Sequence, residues 1–579
     1  MTALLRSRST ANPDGLFGEV KDGEGWTPIT LRDFQSRVDA VAKGLIADGV
    51  VAGDAIGVMG ATRLEWSVAD FAILAVGGVT VPVYPTSSAD QLRWIIDNAD
   101  VSRVFVEDAD QQSAVAQAAP GVTAYVFDGG DLDRLAGAGA GVSDEDLAAR
   151  AAAVTGDDVA TIIYTSGTTG QPKGAVLTHR NLTLHAANVC ADPNFGAFAY
   201  PGSRTLLFLP LAHVFARFVL VVALTSGSIV GFAPSHKTLA ADMKSFRPTW
   251  LAVVPRVLET IYNKADARNQ GLKRTLFRWA AHTARRASMA QEHGGPGVLL
   301  RAQLAVARAL VFRKVYAAMG GQLAWALCGG APMSARAGHF FRGIGLKVLE
   351  GYGLTETTAA TSGTPIVGGR IGTVGHPIAG CSVTLAEDNE ILVKGPHVFA
   401  GYHRDPEATA AVMQDGWFAT GDTGSIENGI LTVTGRKKEI LVLSSGKNIQ
   451  PSGLETEIRS HPAIQDVVVV GDGKHFVSAL IALDSVTLPD WLEAHGLGGI
   501  DLPEASRDPR VRDLIAKAVE AANATVSRAE SIREFRILPR SLTETKDEIS
   551  AALKVRRAAV LEHFADIVDE IYRSPSAEN

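Results

Sequence analysis

The sequence predicts an α/β protein in two parts. A large N-terminal domain of parallel α/β layers carries a β-rich subdomain, and a small mobile C-terminal α/β domain follows. Three observations support this reading. Helical and strand patterns alternate up to about residue 155, as parallel layers require. Short strands broken by glycine turns gather between Arg370 and Arg436. A separate pattern of helix, two strands, helix and strand then runs from Pro451 to Leu538. At 579 residues the chain is also too long for one core.

Taken in order, Leu31 to Ile46 places apolar residues at helical spacing, and Asp54 to Met59 reads as a strand. Trp66 to Val76 is a second, more apolar helix, followed by the strand-like Val79 to Tyr84. Asp90 to Ala99 is helical and Arg103 to Val106 a strand. Ala136 to Val142, dominated by alanine and glycine, reads as a surface loop. No internal repeat or strong low-complexity tract is evident.

The β-branched run Val159 to Ile163 then delivers Tyr164-Thr165-Ser166-Gly167-Thr168-Thr169-Gly170-Gln171-Pro172-Lys173-Gly174. Glycines let backbone N–H groups approach an anion, hydroxyls add donors, and a lysine supplies a point charge. That is the chemistry of holding a polyphosphate. It is not a Walker loop, since no Gly-Lys-Ser/Thr closes it. A flexible linker would not follow a hydrophobic strand so tightly or leave through Pro-Lys-Gly. Beyond it, Thr178 is placed to cap a helix.

Leu206 to Arg217 reads as a strand followed by Pro210 and an aromatic-flanked His213. Gln322 to Pro332 ends a strand in a glycine turn through Gly329 and Gly330, and Lys347 to Thr358 is again a strand breaking into a polar loop. Ligands of parallel sheets collect at the carboxyl ends of strands, so these two loops are candidate walls of one site. Asp422, on a glycine-flanked turn, is suited to accept ribose hydroxyls.

Taken together and in this order, the motifs resemble those of the adenylate-forming superfamily, in particular its long-chain fatty acyl-CoA synthetases. Tyr164 to Gly174 is similar to the family's phosphate loop, and Gly351-Tyr352-Gly353-Leu354-Thr355-Glu356-Thr357 to its second diagnostic motif. Leu206 to Arg217 and Arg247 to Val257 resemble the family's pocket-lining segments. Arg370 to Pro377, Glu390 to Pro396, Asp415 to Gly424 and Ile430 to Ile440 continue in family order. The resemblance implies that Thr165, Ser166, Gly167, Thr168, Thr169, Lys173 and Gly330 bind ATP. It further implies Tyr352 on the adenine face, Asp422 and Arg436 at the ribose, and Thr355 near the α-phosphate. Glu356 and Thr168 are the implied Mg²⁺ ligands, and His213 borders the acyl site. Lys438 matches the hinge, giving domains of 1–437 and 438–579, while Lys437 reads as a solvated charge. Lys554 aligns with the catalytic lysine, although Ala551 and Ala552 stand where long-chain members often carry proline and threonine. Lys546 is the nearby competitor.

The implied activity joins a long-chain fatty acid to CoA at the expense of ATP, through an acyl-AMP intermediate, releasing AMP and pyrophosphate. A fatty acyl-AMP ligase serving a carrier protein is the close alternative, and a non-enzymatic nucleotide sensor a remoter one. An amino-acid adenylation domain would show an aspartate near residues 214–215, where this chain has Val214 and Phe215.

Composition agrees with a globular enzyme: 46% hydrophobic, 20% charged. A net charge of −7 argues against nucleic acid as the main partner. Three scattered cysteines suit a reducing cytosol, and neither a signal peptide nor a spanning helix is expected, so a cytoplasmic protein is anticipated. Residues 268–314 carry ten basic side chains against one acid, Glu292, with apolar residues interleaved. They read as a helical hairpin packed on the domain, with peripheral membrane contact left open.

Overall fold

The computed structural model describes residues 1–165, 171–233, 238–267, 271–550 and 554–573. Two large sheets form the N-terminal part. The first runs in space Gly401–Tyr402, Lys173–Thr178, Val159–Thr165, Val79–Val83, Ala55–Met59, Arg103–Val106, Thr123–Val126. Its last five strands are parallel, and Lys173–Thr178 folds back antiparallel on Val159–Thr165. The second sheet has nine strands. Lys347–Tyr352, Trp325–Cys328, Trp250–Val253, Arg204–Leu207, Ile229–Phe232 and Leu16–Asp22 lie parallel at its centre. Antiparallel strands close both of its edges.

Helices Leu31–Ala47, Leu64–Ala75, His179–Ala191 and Val214–Ser226 share one apolar cluster with residues of both sheets, so they fill the layer between them. A helix covered on more than one side must be apolar around most of its circumference. Leu64–Ala75 and Val214–Ser226 are buried almost throughout. Thr178 caps the helix it precedes through a reciprocal capping box with Asn181. The glycine turns from Arg370 onward lead into a five-stranded antiparallel sheet, Ser382–Leu385, Glu390–Lys394, Trp417–Glu427, Met413–Gln414 and Ile430–Arg436. In the C-terminal part, strands Ile464–Val470, Val477–Leu483 and Ile532–Ile537 pack against helices Pro451–Arg459 and Pro509–Asn523 around a core of their own.

Two local readings are corrected. Ala136 to Val142 is not a loop: helix Asp131–Ala138 runs into a 3₁₀ turn, Gly139–Gly141. The small residues there serve close packing, for a Cβ on Gly139 would sit 2.4 Å from the Gly44 nitrogen. Asp422 lies within strand Trp417–Glu427, paired in register with Arg436, rather than on a turn.

The central helices are tied by a buried ion pair. Arg217 donates from Nε to Asp70 Oδ2 at 2.9 Å, and the Thr80 hydroxyl donates to Asp70 Oδ1 at 2.7 Å. Both charges are cut off from water. Removing one member of such a pair strands the other, at a typical cost of about 3–5 kcal/mol. Arg217→Met is therefore expected to lower stability by about that amount, read from urea unfolding. Adding Asp70→Leu should recover most of the loss. An unchanged midpoint for Arg217→Met would contradict this description of the pair.

Candidate functional site

The parallel strands of the second sheet end at a cleft that opens into a cavity of about 790 Å³, mouth included. His213, Gly330, Tyr352, Thr355 and Lys554 all line it. The lower walls are apolar, among them Phe198, Phe218, Val222 and Trp250. His213 caps helix Val214–Ser226, its Nδ1 accepting the Phe215 amide at 3.1 Å. Burial pushes its pKa down to about 3, with the nearby Lys554 charge adding to the effect, so the ring is neutral at physiological pH. Thr355 and Glu356 sit on a 3₁₀ turn after strand Lys347–Tyr352. That turn needs Gly353, where a Cβ would lie 1.4 Å from the Ala359 carbonyl oxygen.

Beside the cavity, Asp422 is nearly buried and accepts from two sides. The Tyr352 hydroxyl donates to Oδ2 at 2.9 Å, and Arg436 Nε stands 3.1 Å from Oδ1. Burial raises the Asp422 pKa and Arg436 opposes the rise. Glu356 is also buried; its pKa is raised by burial, and the Tyr402 hydroxyl donates to Oε1 at 2.9 Å. Tyr402 connects this carboxylate to the phosphate-loop lysine. The Lys173 ammonium lies 5.2 Å over the Tyr402 ring and 3.8 Å from Asp405 Oδ2. Thr165 is the register partner of Lys173 across the hairpin. Ser166, Gly167, Thr168 and Thr169 lie outside the described residues.

Lys554 enters from the C-terminal part. Its backbone is tied to Ser550, with Ser550 N donating to Lys554 O at 2.8 Å and Lys554 N to Ser550 Oγ at 3.1 Å. The surrounding protein, and then Arg436, depress its ammonium pKa, while Asp422 and Glu356 pull the other way. Lys546 is exposed on a separate 3₁₀ turn and does not line the cavity. Arginines of the large part hold the C-terminal part in this position. Arg256 Nη1 donates to Gln465 O at 2.9 Å and Arg256 also pairs with Asp484, while Arg336 donates to Ser460 O. Lys438 is exposed on the 3₁₀ turn joining the parts. Its neighbour Lys437 is not merely solvated, since it pairs with Asp388 at 2.5 Å and Glu390 at 2.9 Å.

The structure brings the expected site residues His213, Gly330, Tyr352, Thr355 and Lys554 to one cavity, and places Asp422, Arg436 and Glu356 beside it. The sequence reading missed Tyr402, Asp405 and the clasping arginines Arg256 and Arg336. For Tyr402 the available signal was an aromatic directly after Gly401, in a strand that pairs with Ala175 and Val176 beside Lys173.

A hard carboxylate oxygen such as that of Glu356 suits Mg²⁺, which commonly takes one or two carboxylates and completes its shell with water and phosphate oxygens. Among the described residues no group of three or more His, Cys, Asp or Glu could hold a metal alone. The donor set therefore fits an ion shared with a nucleotide.

A two-part α/β fold, with a carboxylate–arginine pair and a lysine from the smaller part meeting at strand ends, defines a nucleotide-handling enzyme. The family described as AMP-binding enzyme matches residues 11–403, and its C-terminal domain matches residues 438–576. The chain belongs to this family of adenylate-forming enzymes. It is 45% identical over 590 residues to the long-chain-fatty-acid–CoA ligase FadD15 of Mycobacterium tuberculosis, covering 99% of this chain and 97% of that one. The peroxisomal long chain acyl-CoA synthetase 6 of Arabidopsis thaliana is 30% identical over 98% of this chain and 84% of its own. Among solved structures, the adenylation domain of a carboxylate reductase from Mycobacterium chelonae superposes with a TM-score of 0.77 at 22% identity, over 99% of this chain and 91% of that domain. O-succinylbenzoate CoA synthetase of Bacillus subtilis, solved with AMP, gives 0.68 at 20% identity, over 96% and 97%. These two share the fold.

Proposed function

We propose that this protein activates a long-chain fatty acid with ATP and transfers it to coenzyme A. The observation that carries the reading is the entry of Lys554 into the cavity that His213, Gly330, Tyr352 and Thr355 line, beside Asp422, Arg436 and Glu356. Full-length similarity to long-chain-fatty-acid–CoA ligases supports the substrate class.

In the first half-reaction a carboxylate oxygen attacks the α-phosphorus, and the bond to the pyrophosphate oxygen breaks. Two like charges ~4 Å apart repel by about 4 kcal/mol at an effective dielectric near 20. Left unopposed, that is about a thousandfold in rate. Lys554 would neutralise the charge developing at the α-phosphate, and Lys173 would hold the departing pyrophosphate. Asp422 would accept the ribose hydroxyls with Arg436 beside it, and Tyr352 would flank the adenine. Glu356 would hold Mg²⁺, which would supply further neutralisation of phosphate charge. In the second half-reaction the CoA sulfur attacks the acyl carbon, AMP departs with its oxygen, and the thiol proton is lost to solvent.

Lys438 is proposed as the hinge between 1–437 and 438–579, letting the C-terminal domain withdraw Lys554 so that CoA can enter. Separate assays of the half-reactions test both assignments. Lys554→Ala is expected to reduce fatty-acid-dependent ATP–pyrophosphate exchange by at least about a hundredfold while Lys546→Ala leaves it near normal. Lys438→Pro should leave the exchange largely intact and cripple thioester formation from acyl-AMP. Loss of exchange in Lys546→Ala instead, or equal loss of both half-reactions in Lys438→Pro, would refute the respective assignment.

A second reading concerns residues 268–314. Within the described part, helices Gly271–Gln291 and Val298–Ala307 and the π-helical turn Arg308–Phe312 leave Leu272, Val298, Leu299, Val306 and Leu310 exposed, with Arg301, Arg308, Arg313 and Lys314 also on the surface. Arg274 and Arg278 instead pair with Asp266. Among the described residues no helix is long and apolar enough to cross a membrane. We propose that this basic, apolar face rests on an anionic bilayer surface, where acyl substrates reside. Co-sedimentation with phosphatidylglycerol vesicles should be strong at low salt and weaken as salt rises; no binding at low salt would end this reading.

A further inference from the structure

We infer that Trp250 is the floor of the acyl tunnel and sets the longest chain the protein accepts, an inference that rests on the acyl reading of the cavity. Two rulers give the tunnel's depth. On the helix side, the wall descends from His213 through Phe218 to Val222. Nine residues at 1.5 Å of rise make about 13 Å. On the sheet side, the mouth is at Gly330, just past the end of strand Trp325–Cys328. Trp250 is the register partner of Trp325 at the opposite end of that strand, five residues back, or about 16 Å at 3.3 Å per residue. Both place Trp250 and Val222 together at the bottom, with Lys554 and Thr355 at the top.

The floor is fixed rather than adaptable. Trp250 is fully buried, and its indole N–H donates to Ser203 Oγ at 3.3 Å. Ser203 Oγ lies 2.7 Å from Ser228 Oγ, which lies 2.8 Å from Ser226 Oγ. The Phe198 ring packs on the indole from another side, centroids 5.0 Å apart at 60°. Swinging the indole aside would break its hydrogen bond and its ring contact together. It would also expose an advancing methyl end to a chain of hydroxyls, where burial gains an apolar group little and desolvates the serines. A chain that reaches the indole is therefore stopped there.

The test is the profile of kcat/KM for acyl-CoA formation against saturated acids from hexanoate to eicosanoate. Wild type should show a sharp fall beyond one length. Trp250→Ala should move that limit to longer acids, raising the longest-to-shortest ratio by about tenfold or more. Val222→Phe, filling the bottom from the helix side, should move it to shorter acids by a similar factor. Trp250→Phe, with a smaller ring and no hydrogen bond to Ser203, should move the limit in the same direction as Trp250→Ala but less far. Opposite shifts in Trp250→Ala and Val222→Phe support the assignment, and Val222→Phe decides it alone if Trp250→Ala does not fold. Unchanged profiles in the folded variants overturn the floor assignment while leaving the acyl reading intact. A wild type that activates no acid of the series overturns the acyl reading itself, and the floor assignment with it.

Discussion

Bringing a carboxylate against a polyphosphate is an electrostatic problem before it is a chemical one, and the cleft is organised around it. Cations from separate parts of the chain converge there: Arg436 from the antiparallel sheet and Lys554 from the C-terminal part, with Lys173 from the first sheet linked through Tyr402 to Glu356. Arg436 is paired with Asp422, Lys173 lies near Asp405 and over an aromatic ring, and Lys554 lines the cavity mouth. All three are exposed to an incoming anion, and a bound substrate that excludes water would strengthen each interaction. The carboxylates among them have a role of their own. Without Asp422 and Glu356, the Arg436 charge would depress the Lys554 ammonium pKa further.

One side of this cleft is the layer between the sheets, where the Asp70–Arg217 pair pins the helix whose first turn carries His213 and whose inner face lines the cavity. The other side is the C-terminal part, docked in part through polar contacts. Arg256 and Arg336 grip its backbone carbonyls, and Gln450 Nε2 donates to Thr423 Oγ1 at 3.0 Å. Polar contacts of this kind exchange for water more readily than a large apolar interface. They are compatible with the hinge proposed at Lys438.

Much of this was legible in the sequence, for identifiable reasons. Helices such as Leu31–Ala47 advertise themselves by period, because burial on one face forces it, whereas a strand such as Ala55–Met59, buried at every position, shows as a continuous apolar run. Glycine turns at strand ends advertise the site, because only glycine permits the approach seen at Gly353. What escaped depends on long-range packing. Ala136–Val142 looked like a loop because small residues suit both a loop and a close helix contact, and only Gly44, nearly a hundred residues away, distinguishes them. Tyr402 acts across sheet pairing and Arg256 across a domain junction, so an aromatic after Gly401 hints at the first only once the pairing is known, and no local pattern encodes the second. Arg247 to Val257 resembles a pocket-lining segment, and Trp250 within it does line the cavity, but its depth there depends on strand register, which the sequence does not give.

The central claim is that the cleft joins the fatty acid's own oxygen to the α-phosphorus of ATP. It is tested most directly by a single turnover with palmitate carrying oxygen-18 in both carboxylate positions, followed by mass spectrometry of the nucleotide product. The account predicts AMP bearing one labelled oxygen, retained when the CoA sulfur takes the acyl carbon. Unlabelled AMP alongside acyl-CoA, or label in the pyrophosphate, would contradict it.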